Sequence, residues 1–427
     1  MQQKLNIFMN HIHIGELIQN KKNQLVFTYS ESWLLNPKVF TFSLPFNLRE
    51  EPYTGSVVFN YFDNLLPDNI SVREKIAQLT RANSSEVFDL LVRIGKDCVG
   101  ALQFVSEDEA LPTLKQPEGE LVSDAEILKT IKNLEFYPLG LLSTKDFRLS
   151  LAGMQEKTAF LKYKNQWLRP TSSTPTTHIF KPAMNSEKAS VSLMNSVENE
   201  WLCAQIVQAF GLPVAKTEML EIDSYKILVI ERFDRLWRDD FLIRLPQEDF
   251  CQALSISSEH KYEIDGGPGL KTIMTILETS KNREQDRKNF MKAQILYWAL
   301  AAIDGHGKNF SLFHSPEGYM LTPLYDIISA APLVKNQKIQ FQDLKMSMCI
   351  GDKRRYKISE IQRRHWQKTA KICHFSDQEI EQVMQELIDL VDTVIQQVSK
   401  KIPQNFPQIV SNSIFDVLSK NIKLLKT

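Results

Sequence analysis

The chain of 427 residues lacks the makings of a disulfide framework or a thiolate metal site. Its five cysteines (Cys98, Cys203, Cys251, Cys349 and Cys373) are odd in number and widely scattered, and no CxxC pair occurs. That pattern supports neither bridges nor zinc and reads as buried thiols in a reducing cytosol. A charge excess is missing too: 51 Lys plus Arg face 51 Asp plus Glu, for a net charge of 0. A balanced chain has no global attraction for phosphate backbones, so any role at nucleic acid needs a local basic patch or a partner. Long apolar runs are absent. The stretch from Ile295 to Ile303 falls far short of the about 20 residues that span a bilayer. The start, Met1 to Asn10, has no apolar core of the kind an export signal carries. Repeats and low-complexity blocks are also lacking. What is present is ample apolar mass, 43% hydrophobic against 24% charged, which excludes disorder. At about 150 residues per domain, the length predicts two or three domains.

Leu5, Ile7 and Met9, then Ile12, Ile14 and Leu17, alternate with period two and predict a hairpin or short meander. Strands are expected at Leu25-Tyr29, Phe40-Leu44 and Val99-Val105. Helices are expected at Ser56-Leu66 and Ser85-Arg93, the latter capped by Ser84 or Ser85 and closed by Gly95. Residues 1–107 thus read as a small α+β domain. The polar stretch 106–123, with Pro112 and Pro117, reads as a linker, and residues 108–146 as linker plus one connecting helix. Strands follow at Thr158-Tyr163, Trp167-Leu168, Thr177-Lys181 and Tyr225-Glu231, around a turn at Lys164-Asn165 and a helix from about Ser192 to Phe210. Beyond about Asp249 the pattern is mainly helical. Ser376 with Glu379 forms a capping box ahead of Ile380, Val383, Met384, Leu387, Val391, Val394 and Val398 at helical spacing, a core-facing scaffold helix.

The densest chemistry lies in Ala301-Ala302-Ile303-Asp304-Gly305-His306-Gly307-Lys308-Asn309. An apolar helix is expected to end in Asp304. An asparagine stands five residues on, and Tyr325-Asp326 follow downstream. Phosphoryl transfer needs such a set. One carboxylate accepts a hydroxyl proton, while an amide oxygen and a second carboxylate hold Mg2+ against the phosphates. The Asp-x4-Asn spacing equals that of the kinase catalytic loop. Upstream, Lys181 ends a strand and Glu200 lies in the next helix, the kind of pair that serves the α- and β-phosphates in kinases. Ile227 to Phe233 is a hydrophobic strand running into exposed backbone, as an adenine-binding hinge does. The segment from Phe147 to Thr158 lacks GxGxxG, yet Ala152 and Gly153 offer backbone N–H groups for an anion nest, with Ser150 and Lys157 at its mouth.

Each piece has a plain structural alternative. Asp304 can cap a helix end and Asn309 can sit in a turn. Lys181 can be a solvated strand end, Glu200 a surface helix residue, Ile227 to Phe233 an ordinary core strand, and the loop a β-turn. The ordered set, with loop, Lys, Glu, hinge, Asp-x4-Asn and final Asp in the sequence a kinase needs, favours phosphoryl transfer.

With these residues in place, nearly the whole chain resembles the HipA-type serine/threonine kinase toxins of bacterial toxin–antitoxin pairs. The resemblance rests on Gly15-Glu16-Leu17, Phe59-Asn60-Tyr61-Phe62-Asp63-Asn64-Leu65-Leu66-Pro67-Asp68, Phe88-Asp89-Leu90-Leu91 and Ile94-Gly95-Lys96-Asp97-Cys98-Val99-Gly100-Ala101. It continues through Gln155-Glu156-Lys157, Thr174-Pro175-Thr176-Thr177-His178-Ile179-Phe180-Lys181, Glu231-Arg232-Phe233-Asp234-Arg235 and Leu245-Pro246-Gln247-Glu248-Asp249. Asp265-Gly266-Gly267-Pro268-Gly269, the Asp304 to Asn309 run and Tyr325-Asp326-Ile327-Ile328-Ser329-Ala330 complete it. The fold implied is α+β, a two-lobed protein-kinase-like architecture with the small lobe at 147–235, a mainly helical lobe at 236–427 and the amino-terminal α+β domain ahead of them.

The resemblance implies ATP and Mg2+ as cofactors, Asp304 as catalytic base, and Asn309 and Asp326 as magnesium ligands. It places ATP on Ala152, Gly153, Met154, Gln155, Glu156, Lys157, Lys181, Glu231, Arg232, Phe233, His306, Gly307, Lys308, Asn309, Tyr325 and Asp326, with Glu200 as supporting ion pair. Ser150 resembles the serine such kinases autophosphorylate, a self-inactivation device, since a dianion beside the phosphate loop repels ATP. Met154 and Gly307 stand where the family often has alanine. The implied partner is a helix-turn-helix antitoxin dimer (HipB-like) that holds operator DNA and co-represses the operon. The implied substrate is an aminoacyl-tRNA synthetase of the glutamyl type, whose phosphorylation inhibits translation, and the implied location is the cytoplasm. Basic residues crowd the stretch from Lys353 to Lys371, either a solvated surface or a phosphate-facing patch with Lys371 as a DNA contact. Two other functions stay open at this point, a pseudokinase corepressor and a small-molecule kinase.

Overall fold

The computed structural model describes residues 3–141, 149–171, 173–184 and 195–426. Residues 142–146 of the expected connection, Phe147 and Arg148 of the expected loop, and Ser192 at the expected helix start lie outside them. The chain divides into two compact units, and neither is continuous in sequence. The first comprises Met1–Pro182, Leu220–Glu259 and Ser311–Tyr319; the second comprises Ala183–Met219, His260–Phe310 and Met320–Thr427.

In the first unit, the alternating segment forms the expected antiparallel pair, Gln3–Met9 with Ile12–Gln19, in register Leu5↔Leu17. The sheet runs Tyr53–Thr54, Leu25–Tyr29, Ile12–Gln19, Gln3–Met9, Leu102–Ser106. Helices Ser56–Asp63 and Val87–Ile94 cover it with Phe62, Leu90 and Leu91, all buried. The helix Ile70–Thr80, capped by Asn69, was not foreseen. The strand expected at Phe40–Leu44 does not form. Phe42 and Phe46 both reach Phe27, with ring centroids 5.5 and 5.1 Å away; a straight strand would hold residues four apart about 13 Å from each other, too far to close on one ring. Between them, Ser43 Oγ and Leu44 N–H donate to the buried Glu248 carboxylate at 2.5 and 2.9 Å.

A second sheet in this unit places Tyr225–Glu231, His178–Pro182, Thr158–Tyr163, Gln166–Pro170 and Gly119–Leu121 side by side. Lys164 and Asn165 turn its hairpin with positive φ of 48° and 61°, as a tight hairpin turn requires. Lys181 stands opposite Leu228, and Glu231 opposite His178, so the lysine strand and the expected hinge strand are immediate neighbours.

Five buried charged residues knit the amino-terminal module to the segment after that hinge strand. Arg232 donates Nε and Nη2 to Asp234 at 3.0 and 2.8 Å and reaches Cys98 O at 2.8 Å. Arg235 bridges Asp97 and Asp234, both at 2.9 Å. Arg244 adds a third guanidinium 3.4 Å from Asp97. Asp97 also accepts from Thr176 N–H and Oγ1 at 3.0 and 2.7 Å. Asp234 accepts from Gly100 N–H at 2.8 Å, where φ is +77° and a Cβ would meet Gln247 O at 2.8 Å. Burial alone would push the Asp97 carboxyl up, but Arg235, Arg232 and Arg244 overrule it and hold it at about 2. Burial pulls Arg244 down to about 10.

The second unit is mainly helical. Helices Ser196–Ala209, Arg283–Ala299, Asp377–Ser399 and Gln408–Lys423 carry many of its buried residues, among them Trp298, whose ring meets the buried Trp366 at 6.0 Å. The Ser376–Glu379 capping box forms as expected, with Ser376 Oγ accepting from Glu379 N–H at 3.1 Å. Among the described residues, no helix is long and apolar enough to cross a membrane.

Two outcomes are expected from this packing. Asp97→Ala strips the carboxylate from a buried cluster and should cost about 3–5 kcal/mol in denaturant unfolding. A depressed carboxyl stabilises above its ordinary range near ~3.9 and loses that contribution as pH falls through the folded value. The stability gap between wild type and Asp97→Asn should therefore shrink from about pH 4 toward pH 2. Separately, burial pushes Cys98, Cys203, Cys349 and Cys373 up to about 12, and Cys251 is buried. A thiol reagent at pH 8 should find no reactive cysteine in the folded chain and all five after unfolding.

Candidate active site

The first unit carries the expected phosphate loop, lysine and hinge. The loop starts as a short extended stretch laid against the amino-terminal module. Leu149 bridges Asp97 and Gly153 bridges Pro67, both in parallel sense. Ser150 is fully buried: its N–H donates to Asp97 O at 3.1 Å and its hydroxyl to Leu65 O at 2.7 Å. Gly153 then takes φ +101°, a value that favours glycine, and a Cβ there would lie 2.8 Å from Lys157 Nζ. Lys157 Nζ donates to Ala152 O at 2.7 Å and so pinches the loop at its base. Ala152 and Gly153 are half-buried, Met154 and Glu156 exposed and Lys157 buried, so the bend faces outward on fixed ends. Gln155 Nε2 donates to Pro182 O at 3.2 Å, beside Lys181. Lys181 itself is buried, which excludes a solvated strand end.

The hinge segment divides its tasks. Glu231 is exposed and Phe233 half-buried, with its ring 5.7 Å from that of Phe313. Arg232 is buried. Its N–H donates to Thr177 O at 2.8 Å, its carbonyl accepts from Arg235 N–H at 3.2 Å, and its guanidinium lies in the Asp97–Asp234 cluster. Arg232 thus anchors the segment after strand Tyr225–Glu231, a task the sequence did not reveal.

The second unit carries the expected catalytic loop. Helix Arg283–Ala299 stops short of Asp304, because Ala301 turns left-handed at φ 51°. Asp304 therefore stands in the following turn, not at the helix end. Its carbonyl accepts from His306 N–H at 2.9 Å and from Asn309 Nδ2 at 2.7 Å. The Asn309 side chain is thereby held to the loop backbone through its amide nitrogen. Tyr325 Oη donates to Lys308 O at 2.8 Å and ties the downstream motif to the loop. Asp326 follows with φ 59°, a left-handed value uncommon outside glycine. Tyr297 lies under the loop: a Cβ on Gly305 would meet its ring at 2.6 Å, and burial followed by the charge of Asp326 raises its phenol. His306, Lys308 and Asn309 are buried, whereas the Asp304 side chain is 53% exposed.

Asn199 donates to Ser329 O and accepts from Ser329 N–H at 2.8 and 2.9 Å, so helix Ser196–Ala209 is clamped to the segment after Asp326. Glu200, next on that helix, is buried, which excludes a surface position. The amide oxygen of Asn309 and the carboxylate of Asp326 would be the oxygen ligands for Mg2+, a hard cation that takes such donors alongside phosphates. Tyr262 was not singled out in the sequence; its hydroxyl donates to Asp304 Oδ1 at 2.5 Å. Lys371 is exposed on helix Arg363–Ile372, with Lys353, Arg354, Arg364 and Lys368 also exposed. Part of this basic stretch is internally neutralised, since Asp352 pairs with Lys368 at 2.9 Å and Arg355 at 3.5 Å, and Arg363 pairs with Glu381.

Comparison with known proteins adds the family. Residues 5–105 match the HipA N-terminal domain, and residues 149–395 the HipA-like C-terminal domain. Y4mE of Sinorhizobium fredii, provisionally designated a kinase, is 32% identical over 404 residues, 93% of this chain and 91% of that protein. The serine/threonine-protein kinase toxin HipA of Shewanella oneidensis is 30% identical over 280 residues, 62% of this chain and 61% of the toxin. A chain of the solved Shewanella oneidensis complex of HipA, HipB and operator DNA shares the fold, with a TM-score of 0.81 at 21% identity, over 99% of this chain and 97% of that one. Matched by both domain models and by a relative alike along 93% of its length, the chain belongs to the HipA-like family.

Proposed function

We propose that the chain is an ATP- and Mg2+-dependent serine/threonine-protein kinase of the HipA toxin type. The observation that carries this reading is the loop from Asp304 to Asn309. A half-exposed carboxylate and an amide five residues on are locked to one another through the Asp304 carbonyl at 2.7 Å. In this reading Asp304 accepts the proton of the acceptor hydroxyl and orients its oxygen toward the γ-phosphorus. Asn309 and Asp326 hold Mg2+, which when bound neutralises charge on the phosphates. Lys181 and the N–H groups of residues 152–157 hold phosphate oxygens. Glu231 to Phe233 hold adenine, mainly through Glu231 and Phe233, since Arg232 has its own anchoring task.

Ser150 is proposed as the self-modification site. Its burial against Leu65 and Asp97 supports a switch, because a phosphate dianion cannot be desolvated there without a cation beside it. Modification therefore requires the 149–153 stretch to leave the amino-terminal module. The substrate class we propose, on the family resemblance, is an aminoacyl-tRNA synthetase of the glutamyl type in the cytoplasm, with inhibited translation as the outcome. The solved relative was captured with HipB and operator DNA. By analogy, this chain is proposed to pair with a helix-turn-helix antitoxin dimer that holds most of the DNA, aided by the exposed cations around Lys371.

Asp304→Asn and Asp326→Ala should each abolish growth arrest on induction and γ-phosphate incorporation in vitro, and Ser150→Ala should remove the self-label. Arrest that persists in Asp304→Asn contradicts the reading. For the basic patch, neutralising Lys353, Arg354, Lys368 and Lys371 should flatten the salt dependence of operator binding by the antitoxin complex, by about 0.9 in log–log slope per lost phosphate contact. An unchanged slope removes the patch from the interface.

A further inference from the structure

The proposed reaction leaves the motif Asp265-Gly266-Gly267-Pro268-Gly269 without a task. Its surroundings give it one. Tyr262 opens this turn, and its carbonyl accepts from Asp265 N–H at 3.1 Å and Gly267 N–H at 2.8 Å. Gly267 packs so closely that a Cβ would lie 2.2 Å from His260 O and 2.7 Å from Tyr262 O. At Gly269 a Cβ would lie 2.4 Å from the carboxylate of Glu263. That carboxylate accepts from Cys349 N–H at 2.5 Å and Cys349 Sγ at 3.1 Å, which fixes the turn to strand Lys345–Ile350. On its other side Lys261 O accepts from Gly307 N–H at 3.1 Å, which fixes it to the catalytic loop. The result is a stiff turn that aims one side chain. The Tyr262 hydroxyl donates to Asp304 Oδ1 at 2.5 Å, and the ring meets His306 edge-on, with centroids 5.0 Å apart. His306 Nε2 stands 3.9 Å from the same oxygen.

We infer that Tyr262 is a positioning residue for the phosphoryl transfer, held in place by the glycine-rich turn. This rests on Asp304 acting as the base. A half-exposed aspartate otherwise rotates about its Cβ–Cγ bond. A charge-assisted hydrogen bond to one oxygen stops that rotation, so the other keeps one direction. In the step served, the acceptor hydroxyl passes its proton to Asp304 as its oxygen bonds to the γ-phosphorus. The bond from that phosphorus to the β,γ-bridging oxygen breaks, and ADP leaves with the electron pair. Orientation is realised in the transition state, so its loss lowers the maximal rate and spares ATP binding.

The test measures γ-phosphate transfer from ATP·Mg to the full-length chain itself and to added casein, for wild type, Asp304→Asn, Tyr262→Phe, Gly267→Ala and the double variant Asp304→Asn/Tyr262→Phe. Thermal melts establish that each is folded. The inference expects Tyr262→Phe to lose about tenfold in maximal rate with half-saturating ATP unchanged. Gly267→Ala should show the same split, and the double variant should be no worse than Asp304→Asn alone. A Tyr262→Phe rate at or above wild type, beside an inactive Asp304→Asn, overturns the positioning role and leaves the kinase reading standing. A fully active Asp304→Asn, or a wild-type chain that transfers nothing, overturns the base reading and this inference together.

Discussion

The first unit depends on a buried carboxylate. Asp97 is removed from water and would be costly alone, yet three guanidinium groups and the Thr176 N–H and hydroxyl surround it. Through its side chain it holds Arg232 and Arg235, which anchor the end of strand Tyr225–Glu231. Through its carbonyl it holds Ser150. One residue of the amino-terminal module therefore fixes both the segment from Arg232 to Arg235 and the stretch that begins at Leu149. Apolar packing follows the same lines: Leu149, Leu151 and Ala159 lie in the same core as Leu5, Phe27 and Phe62. The amino-terminal module is thus part of the structure that holds the loop, which explains why the compact unit gathers segments far apart in sequence.

The second unit solves a different problem, which is to keep a polar loop in place over a helix end. Ala301 and Asp326 both hold left-handed backbone, a conformation that persists only where the surroundings enforce it. The surroundings are identifiable. Tyr297 fills the space under Gly305, Asn309 closes the loop on Asp304 O, Tyr325 ties in Lys308, and Ala330 N–H donates to Ala301 O at 2.9 Å. Tyr262 completes the set from outside the loop. Polar geometry set in this way before any ligand arrives is what electrostatic catalysis of phosphoryl transfer requires.

Much of this was legible because local signals sufficed. The strands Leu25–Tyr29, Thr158–Tyr163 and Tyr225–Glu231 follow from alternation and turn residues, and helix Asp377–Ser399 from its capping box and periodic apolar face. The spacing of Asp304 and Asn309 singled out a loop that the structure closes through Asn309 Nδ2 and Asp304 O at 2.7 Å. What failed was whatever depended on distant partners. The strand expected at Phe40–Leu44 gave way to two aromatic plugs and a carboxylate some two hundred residues away in sequence. The buried contacts of Arg232 were hidden for the same reason, since its partners Asp97 and Cys98 lie more than 130 residues away in sequence. The alternation and charge of Lys181 and Glu200 could not reveal that both are buried. Tyr262 was hidden because a tyrosine before a glycine-rich turn is ordinary until Asp304 is placed beside it.

The central claim is that this chain moves the γ-phosphate of ATP onto a serine or threonine of another protein. Quantitative phosphoproteomics of the host after brief induction tests it most directly, with the Asp304→Asn chain induced in parallel. The account expects a small set of serine or threonine sites, including one on a translation enzyme, to rise with the wild-type chain alone. Identical phosphosite profiles for the two chains, with growth arrested only by the wild type, would contradict it.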